Sequence, residues 1–203
     1  MIKKIISGGQ TGADQAALDA AIKLDIPHGG WIPNGRITEN GPLLDKYLLE
    51  EMPTSSYAER TERNVIDSDG TLIVSHGMLA GGSAYTRQVA MEQKRPWLHI
   101  DLQKTSVRDA AFKLNKWVVK NNIEILNVAG PRASKDPQIY RAVMNIIGSA
   151  YNLGFDGNRS PDSLRMISSS DESNAEKATL AQTISKSDHL LIDKIDLKKC
   201  KKY

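Results

Sequence analysis

Two hydrophobic periods alternate along the chain. Short runs of near-continuous apolar residues lie at 2–7, 71–75, 97–101 and 124–129. Each is followed by apolar positions three and four apart, the spacing of one helix face. After the first run come Ala17, Ala20, Ala21 and Leu24, which predicts a helix over 13–24. The second is followed by a helical pattern at 83–94. After the third, Val107, Ala110, Ala111, Leu114, Trp117 and Val118 share one face, with Ser106 and Asp109 placed as a capping box. After the fourth, Ile139, Val143, Ile146, Ile147 and Ala150 form a face, with Asp136 as the expected N-cap and Pro137 at the first helical position. One more helix is expected over 56–66.

Strands that are apolar at successive positions are buried on both faces, and helices between them supply parallel crossovers. The pattern therefore predicts an α/β fold: a doubly wound, Rossmann-like parallel sheet with helices on both faces. Residues 28–53 break the rhythm with Gly, Pro and Asn, and are expected to form a long functional loop holding a short strand and a short helix. From 152 onward the chain turns polar, with Gly157, Pro161 and three successive serines at 168–170. The expected organisation is a ligand-binding domain over 1–151 and a C-terminal extension over 152–203, the latter with a helix at 175–184 and a strand at 189–192.

Charge and composition narrow the function. Lys and Arg number 27 against 24 Asp and Glu, too even a balance to argue for nucleic acid. The excess is local, because Lys198, Lys199, Lys201 and Lys202 crowd the end of the chain and read as a solvated terminus. The single cysteine, Cys200, excludes an intrachain disulfide, and the start of the chain reads as a strand, so a cytoplasmic location is expected. No run approaches the roughly 18 apolar residues of a membrane span. One Cys and four scattered His offer no metal-ligand spacing.

Candidate chemistry sits at three strand-to-helix junctions. The first reads Ser7-Gly8-Gly9-Gln10-Thr11-Gly12. Glycines let backbone N–H groups approach a ligand, and a helix N-terminus adds free donors with a partial positive charge. Thr11 is placed to cap the helix, with Asp14 three residues on. The second junction holds Gly81, Gly82, Ser83 and Thr86, two glycines followed by two hydroxyls. The third, Gly130-Pro131-Arg132-Ala133-Ser134, offers a guanidinium fork suited to phosphate. A tight turn explains any one of them, but all three fall on the sheet edge where open α/β folds bind ligands. Arg36 is expected to reach the same ligand and Trp31 to stack on its ring. Arg60, Thr61 and Asn64 are weaker candidates for the site, weighed against an ordinary solvated helix face, and His76 is weighed as catalytic against structural, the latter favoured because no nucleophile is visible; no catalytic residue is assigned.

These segments together resemble the molybdenum cofactor carrier family, which is related to YpsA-like proteins and to cytokinin-activating phosphoribohydrolases. The resemblance covers about residues 4–150 and rests on the motif at 7–14, His28-Gly29-Gly30-Trp31, Arg60-Thr61 with Asn64-Val65, Ser68 to Ile73, Gly81-Gly82, and Leu126 to Ser134. It implies that the chain binds or carries molybdenum cofactor (molybdopterin), a pterin with a terminal phosphate, or a related pterin or nucleotide. The implied partners are that small ligand, a second copy of the chain in a homo-oligomer, and molybdoenzymes as acceptors, with neither nucleic acid nor membrane. The hydrolase relatives carry a glutamate after their Gly-Gly loop, and here Gln88 or Val89 stands near that position. A nucleotide N-glycosidase or phosphoribohydrolase is the enzyme alternative, and it lacks this acid. A ligand sensor acting through a partner is the third reading, since the tail faintly resembles the end of sugar-phosphate sensor domains.

Overall fold

The structure, a computed structural model, describes residues 2–154. The helix expected at 175–184, the strand at 189–192 and the rest of the extension from 155 lie outside the described residues. The elements in chain order are β1 (Lys4–Ile6), α1 (Ala13–Lys23), β2 (His28–Gly29), β3 (Trp31–Ile32), β4 (Ile37–Thr38), β5 (Gly41–Pro42), β6 (Glu50–Glu51), α2 (Tyr57–Ile66), β7 (Gly70–Ser75), α3 (Gly81–Glu92), β8 (Trp97–Asp101), α4 (Val107–Lys120), β9 (Ile125–Ala129) and α5 (Ile139–Asn152).

Five strands form one parallel sheet in the order β2-β1-β9-β7-β8. β7 is buried at all its positions, as an apolar central strand requires. The crossovers that step one way along the sheet carry α1 and α4, which both pack on α5, while α2 and α3 pack on each other. Crossovers of one hand place steps in opposite directions on opposite faces, so the sheet is covered on both. If β9 were moved to the front of the chain, the order would read 3-2-1-4-5, the order of dinucleotide-binding sheets. The domain is thus a doubly wound sheet whose first strand comes last in sequence. Its switch point, where helices change faces, lies between β9 and β7.

The capping box on α4 is present: Ser106 accepts from the Asp109 amide and donates to its carboxylate. Three expectations are corrected. α1 begins after Gly12, with no side-chain cap, because the Thr11 hydroxyl is engaged elsewhere. α5 starts after Gln138, because Asp136 accepts from the Gln138 amide through one oxygen and from His76 through the other, and a further turn precedes the helix. α5 then runs on to Asn152, with Leu153 buried behind it. Residues 28–53 hold no helix, only five two-residue strands. That segment is fixed by side chains: Arg36 donates to the carbonyls of Leu43, Leu44, Tyr47 and Leu49.

The same segment is tied to two helices through Asp19 of α1. Its carboxylate accepts from Lys46 Nζ at 2.8 Å, Tyr47 Oη at 3.0 Å and Tyr140 Oη at 2.7 Å. Burial alone would raise the Asp19 carboxyl, but these three donors hold it below its usual range. A depressed folded value stabilises the fold above the unfolded pKa of about 3.9 and loses that contribution as pH falls through the folded value. Asp19→Asn should therefore cost about 1–3 kcal/mol at neutral pH. In urea melts from pH 7 to pH 2.5 the deficit should shrink towards the acid end; a constant deficit would show that the charge contributes nothing.

Candidate functional site

The carboxyl ends of β1, β7 and β9 all reach one sheet edge, and a cleft of about 950 Å³ opens there. It sits over the switch point, between the turn after β7 and the turn after β9, with α2 as a third wall. Of the residues expected to hold the ligand, Gln10, Gly81, Gly82, Ser83, Thr86, Gly130 and Arg132 line it.

The glycines divide into two kinds. A Cβ built on Gly81 or Gly82 would meet nothing within 4 Å. The backbone at the start of α3 is therefore open to a ligand. α3 has no side-chain cap and no acid in its first turn, so its leading N–H groups carry an uncompensated partial charge. The Ser83 hydroxyl has no partner among the described residues, while that of Thr86 donates back to the Gly82 carbonyl. Gly130 instead lies 2.6 Å, as a Cβ would, from both the Ala13 side chain and the Val74 carbonyl, so there the missing side chain permits packing.

The first glycine loop packs inward. Gly8, Gly9, Thr11 and Gly12 do not line the cleft. Gly8 leaves room for the Arg60 guanidinium, which a Cβ would meet at 1.8 Å. Gly9, at φ 73°, faces Leu43, Leu49 and Ile32. Gly12, at φ 78°, presses on the backbone of Pro131 and Ala133. Thr11 and Ser134 are expected to hold an anion, and each gives its hydroxyl to a carboxylate of the chain itself, that of Glu39. The Ser134 amide also donates to Glu39, at 3.1 Å, and Arg132 Nε lies 3.9 Å away. Burial would raise the Glu39 carboxyl, but the hydrogen bonds from Ser134 and Thr11 and the charge of Arg132 hold it below its usual range.

Trp31 and Arg36 also lie away from the cleft. Asn64 brackets the Trp31 backbone, accepting from its amide and donating to its carbonyl, and Trp31 Nε1 donates to Asp67 at 2.8 Å. Arg63 covers the ring at 5.1 Å. Trp31 thus anchors β3 to α2, and Arg36 is spent on the carbonyls of residues 43–49.

Residues that sequence reasoning ranked low take their place. Arg60 lies across Gly8 on the cleft wall, its Nη1 3.5 Å from Asp14 and its Nε buried without a hydrogen-bond partner among the described residues. Asp14 also accepts from the Gln10 amide. Burial pushes its carboxyl above the usual range, against the pull of Arg60. Gln10 uses its carbonyl oxygen for the amides of Thr11 and Glu39 and leaves Nε2 buried and unpartnered. His76 Nδ1 pairs with Asp136 at 2.7 Å across the cleft floor. Gln88, near the position of the hydrolases' glutamate, faces away and donates to Glu92. Among the described residues, no group of three or more His, Cys, Asp or Glu could hold a metal ion, and no helix is long and apolar enough to cross a membrane.

These features define a circularly permuted Rossmann-like domain with a cleft at its switch point. The chain belongs to the circularly permutated YpsA SLOG family, whose sequence profile matches residues 5–151. It is similar to the crystal structure of a protein named "Putative molybdenum carrier protein" from Syntrophus aciditrophicus SB, at 59% identity and a TM-score of 0.73, over 73% of this chain and 94% of that one. No curated protein matches the chain.

The two kinds of glycine separate experimentally. Gly9→Ala forces a side chain to φ 73° against Leu43 and Leu49 and should cost about 1–3 kcal/mol. Gly82→Ala should leave stability unchanged or raise it by up to about 1 kcal/mol, as alanine does inside a helix. Thermal melts of both variants check this; equal losses would mean that Gly82 packs too.

Proposed function

We propose that the chain binds and carries a small phosphate-bearing molecule, with molybdenum cofactor or a related pterin or nucleotide as the cargo. The observation that carries this reading is the start of α3. Its N–H groups are uncapped, and its two glycines face open space in the cleft. A phosphate seated there would receive main-chain hydrogen bonds and the helix's positive end. Arg132 on the facing turn is half exposed, lines the cleft and has its guanidinium available to an anion. Arg60 and Gln10 add further polar side chains to the cleft wall. The rest of the cleft has the volume for a fused heterocycle beyond the phosphate. The name of the crystallographic relative, a molybdenum carrier protein, supports a cargo that contains molybdenum.

Arg132 gives the test. A guanidinium can contact phosphate through two N–H groups, which an ammonium cannot reproduce. Arg132→Ala should weaken binding of a phosphate-bearing pterin or nucleotide about tenfold, or roughly 1.4 kcal/mol. Arg132→Lys should recover part of the loss, and the melting temperature without ligand should stay within about 2 °C. Calorimetric titration of the parent and both variants decides it. Unchanged affinity in both would remove Arg132 from the site, and an absence of binding by the parent to any such ligand would sink the carrier reading.

A further inference from the structure

His76 and Asp136 are 60 residues apart and come from the turns after β7 and β9, the two strands that flank the switch point. The pair is held from both sides. Asp136 fixes His76 with Oδ2 and the Gln138 amide with Oδ1, so its carboxylate has little freedom to rotate. Behind His76, Gly77 turns the chain at φ 88°, and its amide donates to Asp101 at 2.7 Å. Ser75 donates to the Gly77 carbonyl and contacts His99 Nε2, both at 2.8 Å.

Asp136 can only accept, so Nδ1 carries a proton and the free ring nitrogen is Nε2. Nε2 has no partner among the described residues, and the ring lines the cleft with Gly81, Gly82 and Ser83. A latch between two turns needs only Nδ1. A ring that also presents its second nitrogen to a ligand cleft can act on the ligand.

We propose that His76 is a proton-linked ligand contact: on binding an anion, Nε2 takes up a proton and donates it as a hydrogen bond to the anionic oxygen. The inference rests on the reading that the cleft takes an anionic group at α3. The coupling follows from reciprocity. An anion beside Nε2 favours the protonated ring, so the protonated ring favours the anion to the same degree. Without that proton Nε2 turns a lone pair towards the anion and weakens its hold. The other charged groups of the cleft are Asp14 on α1, Arg60 on α2, Arg132, Lys135 and Asp136 in the turn after β9, and the positive end of α3. Among these groups the imidazole of His76 is the side-chain type that exchanges a proton in the neutral range. The contact thereby supplies what a carrier needs at hand-over, a grip that loosens when a proton leaves.

Inorganic sulfate is the probe, because its charge is constant where a phosphate monoester loses its second proton at about pH 6. Calorimetry in two buffers of different ionisation enthalpy counts protons taken up, and NMR of histidine-labelled parent follows the His76 ring during titration. The expected result is net proton uptake by the parent, with the His76 ring moving to its doubly protonated shifts. His76→Gln should abolish that uptake, bind sulfate about five- to tenfold more weakly than the parent at pH 6, and match it at pH 9. Asp136→Asn should reduce the uptake. Sulfate binding with no change at the His76 ring, or with equal uptake in His76→Gln, overturns the proposal and leaves the carrier reading standing. If the parent binds no sulfate and also no phosphate-bearing ligand, the anion site falls and this contact with it. Should His76→Gln fail to fold, the ring signal of the parent alone decides.

Discussion

Two backbones meet where the turn after β1 crosses the turn after β9, and residues with a side chain could not stand at the crossing. A Cβ on Gly12 would lie 2.5 Å from the Pro131 carbonyl, and one on Gly130 would lie 2.6 Å from Ala13. The contact is sealed by hydrogen bonds from the Ala13 amide to Pro131 and from the Ala133 amide to the Thr11 hydroxyl. Because the turns interlock, Arg132 and Asp136 are presented from a fixed platform, and the switch point opens as a cleft instead of being filled by loop. The circular permutation makes this joint more important. β9 pairs with β1 and β7 in the middle of the sheet, yet it is reached last along the chain.

Around that joint the chain answers its own charges. Asp14 faces Arg60, Glu39 lies near Arg132, and Asp136 holds His76. Each pair sets a carboxylate against a nitrogen-bearing side chain of the cleft. Glu39 does more, because it takes the donors of Thr11 and Ser134 that an outside anion would otherwise find. What remains unanswered in the cleft is the row of amides that opens α3 and the Ser83 hydroxyl. Arg60 is placed by an absence, since it lies across Gly8 in space that any side chain there would fill.

Much of the fold was legible in the order of residues. Continuous apolar runs such as Leu72-Ile73-Val74 can be satisfied only between two layers, and the helical faces after them supply those layers. Capping followed local chemistry at Ser106, whose partner lies three residues away. Paired glycines at strand-to-helix junctions marked the edge of the sheet where the cleft opens. In residues 28–53 the sequence signalled irregularity but not its form, because Arg36 fixes that segment through carbonyls up to 13 residues distant.

What each glycine and each charge does was decided by tertiary structure alone. Gly8, Gly9, Gly81 and Gly82 look alike in sequence, since a glycine's local signal reports backbone freedom and not what stands opposite. Opposite Gly8 and Gly9 stand Arg60 and three aliphatic side chains, while opposite Gly81 and Gly82 stands open space. Glu39 and Ser134 are 95 residues apart, and His76 and Asp136 are 60 apart. No spacing rule joins such pairs, because the sheet order that brings their turns together is a property of the whole fold. The sequence by itself determined the layers, the strands and the edge where the cleft opens. The packing of one turn against another determined which residues on that edge face the cleft and which hold the edge in place.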